Sequence, residues 1–111
     1  MVATQDLTIF QSATLNETLT VDTIVAGDTF QFWVLDRCRA VRTDGTVAFT
    51  TGETTIDIGM SASVTGGFSS VNIACGSLEN QFWGNWFVDK TDAAGDVTRI
   101  FNGDVTLSLS K

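Results

Sequence analysis

Histidine, tyrosine and proline are all missing from this chain of 111 residues. Without histidine, the commonest general base and metal ligand is gone, and neither a Ser–His–Asp nor a Cys–His arrangement can be built. No enzyme and no cofactor is therefore expected. Without proline, sheet edges lose one of their usual blunting devices, which leaves them open to cover by another chain. Charge is also scarce, at 17% of residues, and lopsided: six Lys and Arg stand against thirteen Asp and Glu, for a net charge of −7. Such a domain repels a phosphate backbone, so nucleic acid is not expected as a partner. No apolar run is long enough to span a bilayer, so no membrane is expected either. The opening MVATQDLTIFQSATLNE carries no basic residue and no signal-type apolar core. Synthesis in the cytoplasm follows as an expectation, with Cys38 and Cys75 as free, buried thiols.

What the chain has in plenty is threonine, serine and alternation. Leu15, Glu17, Leu19 and Val21, then Phe30, Phe32 and Val34, then Val105, Leu107 and Leu109 recur at every second position. That is the period of a half-buried strand. Turn pairs separate the runs, at Gly27-Asp28, Asp44-Gly45, Thr51-Gly52, Gly66-Gly67, Gly95-Asp96 and Asn102-Gly103. Gly66-Gly67 is followed by another strand-like run and not by a helix, so it offers no phosphate cradle. Strands are predicted at 6–10, 14–25, 29–36, 38–42, 46–50, 54–58, 68–75, 81–90, 96–101 and 104–110. No window of ten residues has a helical stripe. The reading is one all-β domain over 1–111, an antiparallel two-sheet β-sandwich of jelly-roll or immunoglobulin-like order. Residues 1–6, small or polar, are expected to form a flexible arm, with Ile9 and Phe10 pairing onto a neighbour's sheet edge. A faint echo between 32–58 and 86–109 fits either an internal duplication or ordinary hairpins.

Candidate functional residues lie on surfaces. If Phe30, Phe32 and Val34 point inward, Trp33 and Leu35 face the other way; if Phe82, Trp86 and Val88 point inward, Trp83 and Phe87 face out. Tryptophan on an outer face marks a binding surface or a strand covered by loops. Arg37, Arg39 and Arg42 gather half of the positive charge within six residues. They make either a docking patch for an acidic partner or a solvated strand edge. The acidic run DKTDAAGD at 89–96 lacks the ligand spacing of a calcium loop and reads as a hairpin tip, so no metal is expected. Carbohydrate is the lesser possibility at the tryptophans, with Asn80, Gln81 and Asn85 nearby.

An acidic, Thr/Ser/Gly-rich β-domain of this length resembles the accessory structural proteins of tailed bacteriophages, above all the capsid decoration or stapling proteins of epsilon15-like podophages. The stretches AGDTFQFWVLD at 26–36 and GNWFVDKTDAAGDVTRIFNGDVTLSLS at 84–110 are also similar to β-sandwich domains of phage baseplates. The first resemblance implies a non-enzymatic protein on the capsid exterior of a virion. It would bridge major capsid subunits and meet a second copy across a local symmetry axis, with Trp33, Leu35, Arg37, Arg39, Arg42, Trp83, Phe87, Ile9 and Phe10 as its grip. The second implies a tail or baseplate adaptor.

Overall fold

The alternation resolves into two packed sheets. The computed structural model describes residues 3–10, 12–36, 42–66, 71–72, 76–77 and 81–108, and gives the backbone alone at 36, 71–72, 76–77, 81–83 and 108. In chain order the elements are β1 (Ala3–Thr4), β2 (Leu7–Phe10), β3 (Leu15–Thr20), β4 (Thr29–Asp36), β5 (Arg42–Asp44), β6 (Thr46–Phe49), β7 (Thr55–Met60), a single helical turn α1 (Ala62–Thr65), β8 (Val71–Asn72), β9 (Gly76–Ser77), β10 (Gln81–Thr91) and β11 (Val97–Ser108). The large sheet runs β1-β11-β10-β4-β5, with β2 also on β11; β3-β7-β6 form the opposing sheet, and β8 and β9 a small hairpin.

The core is the sequence's period of two made solid. Phe32 and Val34 of β4 and Trp86 and Val88 of β10 are buried from the large sheet, and Leu15, Leu19, Ile56, Ile58 and Met60 from the other. Trp86, at the centre, packs edge-on to Phe32 and stacks on Phe101, each with ring centroids 6.1 Å apart. Phe30, the third of the expected inward set, is half-buried against Phe49.

Four expectations need correction. Asn102-Gly103 is no hairpin turn, because β11 runs through it as one strand; Gly103 instead lies under the backbone of Gln5, whose carbonyl a Cβ there would run into. Asp44-Gly45 is not a hairpin turn either. The chain passes there from the large sheet to the small one, between the Phe32 ring and the Gly59 carbonyl, and a Cβ would lie 2.5 Å from the ring. The expected strand 14–25 stops at Thr20, since Val21 and Ile24 donate to the carbonyls of Thr54 and Glu53 across the loops at that end. Gly27, Gly52 and Gly95 do take the positive φ that turns demand, between 92° and 95°.

The fourth correction concerns the N-terminus. Residues 3–6 are not a free arm: β1 and β2 lie parallel to β11 with the same offset on either side of Gln5 and Asp6, from Ala3↔Phe101 to Phe10↔Ser108, and Gln5 N–H donates to the Asn102 carbonyl between them. The strand bows at Gln5, whose carbonyl accepts the Trp86 indole N–H at 2.6 Å. Ile9, expected on a partner surface, is wholly buried beside Leu7 in the domain's own core. Parity decides this, because Leu7 and Ile9 are the inward positions of a strand that the sandwich itself uses. Phe10, on the outward parity, is 53% exposed.

A candidate binding face on the large sheet

β4, β10 and β11 carry a second set of residues on the face away from the core. Trp33 and Phe87 are direct cross-strand partners, with ring centroids 5.5 Å apart and planes inclined by 33°. Arg42, reaching from β5, lies with its Cζ 4.2 Å from the Trp33 ring centre. Arg99, from β11, lies 4.4 Å from the centre of Phe87 and 5.3 Å from that of Trp33. The four side chains form a ladder of guanidinium, indole, phenyl and guanidinium, in which the electron-rich ring faces attract the cations.

Each cation is fixed from the side as well. Arg42 donates its Nε–H to Asp44 at 2.7 Å, and Arg99 donates Nε–H and Nη2–H to the two oxygens of Asp89 at 2.9 and 3.5 Å. The second pair is the fork-to-carboxylate geometry that sets orientation as well as energy. Both guanidinium groups remain partly open, with side-chain exposures of 47% for Arg42 and 42% for Arg99. Trp33, by contrast, is only 8% exposed. Of the two alternatives for Trp33, an open binding surface or a covered strand face, the indole is the covered one, and arginine side chains rather than loops cover it.

Of the other expected site residues, Leu35 is half-buried, opposite Asn85 and Arg42, and Phe87 is half-buried within the ladder. Arg37 and Arg39 lie outside the described residues, as do Cys38 and Cys75; the side chain of Trp83 does too. Trp83 falls at a register shift between Phe82 and Gly84, so strict alternation does not carry across that step.

Sequence reasoning missed Arg99. By parity with Phe101 and Val105 it belongs to the inward set, but a bulge at Ile100 pairs Val88 with Phe101 and Asp89 with Arg99. That one extra residue turns Arg99 to the outer face. The oppositely charged Asp89 and Arg99, flanking a tight acidic turn, are the only trace of it in the sequence.

At the loop end, Asp92 Oδ1 accepts from the backbone N–H groups of Ala94 and Asp96 at 2.9 and 3.0 Å, which closes the β10–β11 turn. Among the described residues no group of three or more acidic, Cys or His side chains is placed to hold a metal ion.

These two sheets, with a parallel N-terminal strand on the last strand of the large one, define an all-β sandwich of immunoglobulin-like type. Among solved structures the chain is similar to a chicken TCR, with a TM-score of 0.53 over 96% of this chain at 7% identity. It spans 55% of that receptor chain, and at such identity the likeness shows the fold alone. No protein-family model matches the sequence, and no curated protein matches it.

Proposed function

We propose that this chain is a non-enzymatic virion structural protein that decorates and staples the outer surface of a tailed-phage capsid, gripping major capsid subunits with the outer face of its large sheet. One observation carries the binding part of this reading, the ladder of Arg42, Trp33, Phe87 and Arg99. Arginine is among the residues that dominate the energetics of protein interfaces, and the two guanidinium groups are the exposed part of the ladder, backed by the buried Trp33. Here their rotamers are held in advance by stacking and by Asp44 and Asp89, so less side-chain entropy is lost on docking. The phage assignment comes from the resemblance in length and character, and the acidic charge suits a decorator that must stay off packaged DNA. A second copy across a local symmetry axis fits the same picture. A sugar needs an open aromatic face, and the guanidinium on Trp33 denies it one there.

The test is a pair of measurements on purified particles. Gel densitometry should give a lattice-scale copy number, on the order of hundreds per particle, whereas a tail or baseplate adaptor follows the few-fold symmetry of a tail. The double variant Arg42→Ala/Arg99→Ala should then lose occupancy while the free domain stays folded. Full occupancy of that variant would remove the ladder from the interface, and a few-fold copy number would favour the adaptor.

A further inference from the structure

A second feature lies on the other side of the large sheet, at the loop end. There the inner face of β4, β10 and β11 extends past the cover of β3, and a cleft of about 380 Å³ opens between the sheets. Its apolar part is made by Val21, Phe30, Ile100 and Phe101, and three acidic residues, Asp22, Asp92 and Asp96, also line it, Asp92 with one oxygen already held by the turn's backbone N–H groups. The bulge that turns Arg99 outward also leaves Ile100 and Thr98 lining this space.

Among the described residues the charge of the cleft is unbalanced. The one cation among its described lining residues, Lys90, is engaged by Asp28, whose side chain is fully buried and lies 3.5 Å away. Asp28 Oδ2 also accepts the Val25 N–H at 3.0 Å, while Oδ1 is buried without a partner. Lys90 is thereby already matched by an interior carboxylate, and the described cations Arg42 and Arg99 are held at Asp44 and Asp89 on the opposite face. Among the described residues none is left for Asp22, Asp92 and Asp96.

These carboxylates are not grouped to hold a metal ion. They border aromatic and aliphatic surface instead, which calls for a cation that is extended and partly apolar. We infer that the cleft binds a guanidinium group on a short apolar stem, the planar cation stacking on phenyl surface while its N–H groups reach these carboxylates. This site is separate from the arginine ladder and stands independently of the capsid reading. The same chemistry is offered by an arginine side chain of a partner polypeptide and by a free guanidino-amine.

The experiment is a titration of the ¹⁵N-labelled domain followed by amide chemical shifts. Nα-acetyl-arginine N-methylamide represents the polypeptide side chain, agmatine the free cation, and Nα-acetyl-citrulline N-methylamide is the neutral isostere. Saturable shifts confined to Val21, Thr98, Ile100 and their neighbours are expected with the cations. The variant Asp22→Asn/Asp96→Asn should bind about tenfold more weakly, the scale expected of two exposed charge pairs. Stronger binding of the arginine derivative assigns the site to a polypeptide side chain, and stronger binding of agmatine to a free cation. The inference is overturned if neither cation gives saturable shifts, if citrulline works equally well, or if the double variant, folded by its own spectrum, binds as the parent does.

Discussion

Gly103 shows how one residue type answers two different physical demands. Asn-Gly in a β-rich sequence reads as a type I′ turn, where glycine is chosen for positive φ. In the fold Gly103 is chosen for its missing side chain, which lets the Gln5 backbone come close enough to accept from Trp86. Gly103→Ala should therefore displace Gln5 and cost roughly 2 kcal/mol, from overpacking and a lost buried hydrogen bond. Urea unfolding would measure it, and Trp86 emission should shift to the red. In a Trp86→Phe background, with that hydrogen bond already gone, the same glycine substitution should cost less; equal costs would show that the two residues are not coupled. Nothing local in the sequence separates the two uses of glycine, because the partner, Gln5, is most of the chain away.

Among the elements, the inward faces of β4, β10 and the last part of β11 were legible because each stretch keeps its period of two for several residues. Legibility failed where an extra residue breaks the period, as at Ile100, or where a strand changes sheet, as at Gly45. It failed again at the N-terminus, where Leu7-Thr8-Ile9-Phe10 is too short for pattern to say whose sheet it joins. Burial of Leu7 and Ile9 answers that. Two such side chains contribute about 3–6 kcal/mol by area, a large share of the roughly 5–15 kcal/mol that holds a domain together. Deleting residues 1–10 should therefore abolish or severely lower the thermal transition and leave β11 as a bare, aggregation-prone edge. A truncated domain that melted within a few degrees of the parent would show that β2 is dispensable and free to serve a neighbour.

Taken whole, the molecule is an acidic sandwich whose described cations are all paired, one of them to a buried carboxylate and two within the ladder. The excess negative charge, net −7, is left to repel itself over a small surface. Moderate salt should relieve that repulsion more than it weakens two partly exposed pairs. Raising sodium chloride from about 10 to 200 mM, which shortens the screening length from roughly 30 to 7 Å, should raise the melting temperature by about 2–4 °C. A fall in calorimetry would mean that the ion pairs outweigh the repulsion. Fold class was readable at this scale from composition and turn spacing; the candidate site was readable only by halves. Trp33 and Phe87 announce an outer face by parity and Arg42 stands out only within a charge cluster, whereas their closeness to Arg99 exists only once β4, β5, β10 and β11 are side by side.

The parallel pairing of β1 and β2 with β11 has a consequence in time. Ala3 meets Phe101 and Phe10 meets Ser108, so the first described strands to leave the ribosome are completed by the last. Until β11 exists, Leu7 and Ile9 have no sheet to lie on, and closing that long loop must be offset before any of its contacts form. The indole of Trp86 likewise waits, since the carbonyl it donates to is set in place only by that final docking. Folding of this domain should thus end with the capture of its own beginning, and for as long as synthesis is unfinished its N-terminal strand is available to any other open edge in the cell.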